Sequence, residues 1–134
     1  VNLAMSGYPS KTKSFAWVGE EPYLVTSGAD EAVCWPFDGP QGPLNRSPLC
    51  VARHENFVTC VQALPSERAI LAGFQDGCVL LAELDETKDA TVLKSSTGVE
   101  VTAIALTGSG SHLLIGDAKG EILWTSLFAG ASRG

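Results

Sequence analysis

Three apolar runs in this chain end at a glycine, and the steps between those glycines are nearly equal. Ser27-Gly28, Ala72-Gly73 and Ile115-Gly116 close the runs Leu24-Val25-Thr26, Ile70-Leu71 and Leu113-Leu114, and the glycines lie 45 and 43 residues apart. A period of that size means one supersecondary unit repeated along the chain, each unit unable to bury its apolar surface alone. Three residues after each glycine stands Glu31, Asp76 or Lys119, followed by Ala32, Gly77 or Gly120. That spacing predicts a two-residue reversal between strands.

The rest of each unit falls into place around the reversal. A third strand follows it at residues 33–37, 78–82 and 122–125, and a first strand precedes the glycine at 14–18, 58–64 and 101–106. In the last two units the register is the same, 12 residues from Val61 to Gly73 and from Ile104 to Gly116. Counted from Phe15, the first unit has one residue more, in a turn holding Gly19-Glu20-Glu21-Pro22. Fourth strands come between units, at 49–53 and 90–94, and residues 3–6 hold the same place before the first. The run 78–84 is apolar at nearly every position, which requires cover on both faces. Short length, β-branched and aromatic residues, and Gly- or Pro-bearing turns favour strands over helices. The expected class is all-β: three four-stranded antiparallel sheets side by side, the last lacking its own outer strand because Gly130-Ala131-Ser132-Arg133-Gly134 is small and polar.

These units resemble the WD-repeat β-propeller family over essentially the whole chain. At the family's Gly-His place stand Gly7-Tyr8, Arg53-His54 and Ser96-Thr97; at its turn Asp, Glu31, Asp76 and Lys119; at its Trp-Asp place, Phe37-Asp38, Ala82-Glu83 and Thr125-Ser126. The resemblance implies a partial propeller. Residues 1–6 would be an outer strand of a preceding or closing blade, 7–53 blade one, 54–96 blade two and 97–134 an incomplete blade three. It also implies a His, Ser/Thr, Asp and Trp network inside each blade. The second unit has His54 and Asp76 but Ala72 and Ala82 where hydroxyl and indole would sit, so His54 and Asp76 are expected to be structural partners. Met5-Ser6-Gly7-Tyr8-Pro9-Ser10-Lys11-Thr12, and Thr26-Ser27-Gly28-Ala29 followed by Trp35-Pro36-Phe37, look similar to uncharacterised bacterial WD-repeat proteins of the alphaproteobacterial type. That likeness makes the chain the C-terminal three blades of a longer one; its start at Val1-Asn2-Leu3 also reads as chain interior rather than a signal peptide.

Composition narrows the function classes. With 134 residues, 45% of them hydrophobic and 18% charged, one domain is expected. A net charge of −6 with scattered Lys and Arg argues against nucleic acid and anionic membranes. Cys34, Cys50, Cys60 and Cys78 form no Cys-x-x-Cys pair and three lie in apolar runs, so buried thiols in a reducing, cytoplasmic compartment are expected. The set Cys50, His54, Cys60 and Cys78 has ligand types without ligand spacing, so neither metal nor cofactor is expected. His54 and His112 are the two imidazoles, no nucleophile elbow occurs, and the acid pairs Glu20-Glu21, Asp30-Glu31 and Asp85-Glu86 sit in turns. Gly108-Ser109-Gly110 lacks the lysine of a phosphate loop.

The expected function is a non-catalytic protein-interaction scaffold. In a propeller the loops leading into first strands share a face with those between second and third strands. That face would carry Tyr8, Asp30, Glu31, His54, Phe57, Gln75 and Asp76, with Glu55, Asn56, Thr97 and Lys119, suited to a protein or peptide with basic groups. The other reading is a propeller enzyme, or a small-ligand or metal binder, using the central channel through Thr59 or Thr102. Residues 38–48, stiffened by three prolines, would form an ordered flap on the opposite face. Closed rings take about four to eight blades, so three would leave two apolar flanks. Either remaining blades of a parent protein cover them, which the resemblance favours, or symmetric copies do, with residues 3–6 completing a neighbour's last blade.

Overall fold

A computed structural model describes residues 4–18, 22–65 and 67–127. Its strands are β1 (Phe15–Val18), β2 (Tyr23–Thr26), β3 (Ala32–Pro36), β4 (Leu49–Val51), β5 (Val58–Ala63), β6 (Ala69–Phe74), β7 (Val79–Glu83), β8 (Thr91–Lys94), β9 (Val101–Leu106), β10 (His112–Asp117) and β11 (Ile122–Ser126). They form three antiparallel meanders in chain order, β1 to β4, β5 to β8 and β9 to β11. Among the described residues the third sheet has three strands. Ala4, Met5 and Ser6, expected as an outer strand, are not in a strand. A fourth strand needs a third strand beside it, and this chain offers residues 4–6 none. The expected acid pair at 20–21, the turn at 19–22 except Pro22, and the small tail at 130–134 lie outside the described residues.

The second and third sheets share one register. Val61 faces Ala72 and Ile104 faces Ile115, and in both pairs a bulge skips one residue, Thr59 and Thr102. The expected two-residue reversals are three-residue hairpins instead. In the second sheet Phe74 N–H donates to Cys78 O and Gly77 N–H to Phe74 O, both at 3.0 Å. Asp117, Gly120 and Glu121 repeat the pattern at the β10–β11 turn. Such a turn ends on a left-handed residue, which explains Gly77 at φ 92° and Gly120 at φ 81°.

The first sheet departs from its companions. Ser14, not Phe15, lies opposite the residue before the glycine, since Ser27 N–H donates to Ser14 O at 3.1 Å. The first turn itself is no longer than its counterpart: Phe15 faces Thr26 as Val61 faces Ala72, so the extra residue lies between Thr26 and Gly28 and not in the turn. Gly28 lies past the end of β2, whereas Gly73 and Gly116 lie inside β6 and β10. The cause is residues 27–31, which turn aside to bond the lead-in of the next sheet: Gly28 N–H to Val58 O at 3.0 Å, Val58 N–H to Ala29 O at 2.7 Å. Gly28 has φ 104°, and a Cβ there would come within 3.0 Å of Ser10 O.

Two cores hold the three sheets together. One joins the first and second through Val18, Val25 and Cys34 against Ile70, Phe74 and Leu80. The other joins the second and third through Leu71 and Val79 against Val101, Leu113 and Ile115. Because successive side chains of a strand point to opposite faces, β6 sends Ile70, Ala72 and Phe74 into one core and Leu71 into the other. All six residues of β6 are buried. Each buried Ile, Leu, Val or Phe contributes about 1.5–3 kcal/mol over its exposed state. Close approach is set by Gly73, where a Cβ would lie 2.5 Å from Val101 Cγ1.

Candidate functional site

The loops at one end of the sheets are laced together, and Asp76 is the centre of the lacing. Its Oδ1 accepts Cys78 N–H at 3.1 Å, closing the turn on itself. Its Oδ2 accepts His54 Nε2–H at 2.8 Å and the Ser96 hydroxyl at 2.6 Å. Its carbonyl accepts Thr97 N–H at 2.9 Å and Gly98 N–H at 2.7 Å. One residue thus ties a hairpin to the lead-in of its own sheet and to that of the next. The His54 ring also meets Phe74 edge-on, centroids 4.7 Å apart. Ala72 supplies no hydroxyl here, and the one that reaches Asp76 comes from Ser96, in the connection leading to the next sheet, where a repeat-by-repeat reading does not look.

Partial burial pushes the Asp76 carboxyl up, and hydrogen bonds from Ser96, His54 and Cys78 N–H outweigh it, so the group titrates below its ordinary value. The thiols go the other way. Burial, then the proximity of Cys50 and Glu86, pushes Cys34 up to about 12, and burial followed by Glu31 pushes Cys50 up to about 11. Both remain protonated near neutral pH and are poor nucleophiles. Cys34, Cys60 and Cys78 are buried and Cys50 half-buried.

The first unit reaches the same end with other residues. Trp35 Nε1–H donates to the Tyr8 hydroxyl at 2.6 Å, and that hydroxyl bonds Thr26 Oγ1 at 2.6 Å. The indole comes from Trp35 and the hydroxyl from Thr26, not from the places of Phe37 and Ser27. Arg53 pairs with Glu31 at 3.2 Å and reaches Asp30 at 3.9 Å, so the acids of this rim already face a cation. In the third unit Asp117, not Lys119, caps the turn, accepting the N–H groups of Lys119 at 2.9 Å and Glu121 at 3.0 Å. Ser96, Thr26 and Trp35 escaped sequence reasoning because their partners come from other strands or units, and Asp117 because the repeat spacing pointed to Lys119.

The expected face therefore divides by exposure. Tyr8, Asp30, Glu31, His54, Asn56, Phe57 and Asp76 are half-buried, whereas Glu55, Gln75, Thr97 and Lys119 are exposed. Gln75 is tied through its backbone N–H to Phe57 O at 3.0 Å, and Ala118 N–H likewise bonds Glu100 O at 2.9 Å. The surface is held by backbone bonds on both sides.

The channel candidates separate. Thr59 is buried and its hydroxyl bridges sheets, bonding Val101 O at 2.6 Å and Gly73 O at 3.3 Å, while Thr102 is exposed. His112 begins β10, with Nδ1 2.9 Å from Ser111 Oγ and its ring edge-on to Trp124. Among the described residues no group of three or more His, Cys, Asp or Glu is placed to hold a metal ion. Residues 38–48 form turns closed by bonds such as Arg46 N–H to Pro43 O at 3.0 Å, with an Arg46–Asp38 ion pair across them. No helix among the described residues is long and apolar enough to cross a membrane.

No protein-family model and no curated protein sequence matches the chain. Solved structures do match it in shape. The β-propeller domain of Cps50 (Swd1) from Myceliophteria thermophila superposes with a TM-score of 0.66 at 19% identity, over 88% of this chain and 39% of that one. The computationally designed Ika4 protein aligns over 92% of this chain and 95% of its own, with 15% identity and a TM-score of 0.49. The chain thus spans well under half of the Cps50 propeller domain that it resembles. Its fold is a partial β-propeller, three successive antiparallel blades of which the last has three strands among the described residues.

Proposed function

We propose that the chain is a non-catalytic interaction scaffold of the WD-repeat kind, one arc of a larger propeller ring. The observation that carries this is the lacing of the loop face through Asp76, which gives a pre-ordered surface. A surface ordered before binding loses little entropy when a partner docks. Within it Phe57 supplies apolar anchor area, and Glu55 and Gln75 stand around it. The partner is a protein or peptide with basic groups facing Glu55. The in-phase repeats and the likeness to bacterial WD-repeat proteins support the WD-type reading. Four free cysteines, three of them buried, support a reducing compartment such as the cytoplasm.

The test is capture of partners on the immobilised protein, followed by the double substitution Glu55→Lys with Phe57→Ala. Partner capture is expected to fall about tenfold or more while the circular dichroism spectrum and unfolding midpoint stay in place. Retained capture by the double variant would remove this face from the function.

A further inference from the structure

The second blade shows what a neighbour does to a flank that the third blade presents bare. Cross-strand partners share a face, so Gly73 and Val79 of the second blade correspond to Gly116 and Ile122 of the third, and Leu71 and Leu81 to Leu114 and Trp124. Val79 and Leu71 are fully buried under the third blade. Ile122 is 71% exposed and Trp124 68%. Val101 fills the notch at Gly73, but a Cβ at Gly116 would meet only its own sheet, Ala103 Cβ at 3.7 Å being nearest. At the other end of the arc the first blade exposes Phe15 at 65% and Trp17 at 57%.

We propose that a second copy of the chain covers these flanks head to tail, closing a six-bladed ring. The contact continues the interface that already joins blades one, two and three, and it rests on the ring reading above. A β-branched residue stands four places after each lead-in residue: Val58 after His54, Val101 after Thr97 and Thr12 after Tyr8. Thr12 is exposed, and at the partner's Gly116 it finds the place that Val101 takes at Gly73. The rings of Phe15 and Trp17 then lie on the small side chains Ala103 and Ala105, bulk against hollow. The strands β4 and β8 each end three residues before His54 and Thr97, and Met5 stands three before Tyr8, which puts residues 4–6 at the same place in sequence relative to the first blade. Three blades from each of two copies give six, within the range of about four to eight that closes a ring. Head-to-tail contact that closes after two steps leaves neither flank exposed.

Light scattering on the 134-residue chain across a dilution series tests this directly. The expected mass is twice the 14.0 kDa of one chain. Gly116→Val fills the notch without an intrachain clash and is expected to weaken the dimer about tenfold or more while the circular dichroism spectrum is kept. Trp17→Asp, on the opposite flank, should weaken it similarly, and mixing the two variants should restore a doubled mass through the one intact contact. A folded monomer at every concentration would overturn the proposal and leave the flanks to further blades of a longer polypeptide. A dimer indifferent to either substitution would also overturn it, since like flanks would then be meeting. Neither result touches partner capture by Glu55 and Phe57, so the scaffold reading fails or stands separately.

Discussion

Leu71 and Leu114 each stand two residues before the glycine of their repeat, yet Leu71 is 0% exposed and Leu114 36%. Their strands are alike in length, register and bulge. The difference lies in the neighbour, because among the described residues the second blade has a sheet on both sides and the third on one. Burial here belongs to the stack and not to the strand, as in other repeat architectures whose stability resides largely at interfaces between units.

The comparison breaks first at these leucines. Leu71→Ala is expected to cost about 2–5 kcal/mol, lost transfer energy plus a cavity, whereas Leu114→Ala should cost about 1 kcal/mol or less in the dissociated chain. Urea unfolding at low protein concentration reads both, and equal losses would mean that the third blade's flank is already covered within one chain. The two glycines come next. Gly73→Val forces a side chain onto Val101 and is expected to cost about 1–3 kcal/mol, while Gly116→Val in the same assay stays within about 0.5 kcal/mol of the parent.

Removing the polar brace has a smaller effect. Asp76→Ala leaves the half-buried His54 and the exposed Ser96 without their acceptor and is expected to cost about 1–3 kcal/mol by urea midpoint, with Asp76→Asn losing less. The acid side of the stability profile carries the same signature. The Asp76 pKa is depressed in the folded chain, so its contribution is full above the unfolded value of about 4 and lost as pH falls through the folded value. The urea midpoint should therefore drop from pH 5 to pH 3 more steeply in the parent than in Asp76→Asn; parallel slopes would show that the carboxyl is not held in this way. Smallest of all is Arg53→Ala. Its Glu31 and Asp30 pairs lie at the surface, and the expected loss is within about 0.5 kcal/mol, falling further in high salt.

Much of the architecture was legible because strand and turn signals are local. The 43-residue step between Gly73 and Gly116 located two blades with matching register, and the apolar run around Val79 announced burial on both faces. The first blade was harder. Gly28 repeats the glycine in sequence but not in register, because residues 27–31 bond the following blade rather than folding back as a hairpin. Phe15 does align with Val61, since Phe15 faces Thr26 as Val61 faces Ala72, and it is Gly28 that stands one place beyond the counterpart of Gly73. Of the candidate site, the His54 and Asp76 pairing could be anticipated from their places in one repeat. Ser96 and the Tyr8, Thr26 and Trp35 cluster could not, because each partner lies on a different strand or unit.

The sequence by itself determined the period, the strand order and the glycines that let strands turn and pack, since each follows from backbone conformation and from side-chain alternation within a few residues. Only the tertiary structure decided which apolar faces are covered, which hydroxyl reaches Asp76 and that the third blade stands bare on one side. Those outcomes depend on the distance between sheets tens of residues apart, and a one-place shift in register moves every side chain to the other face.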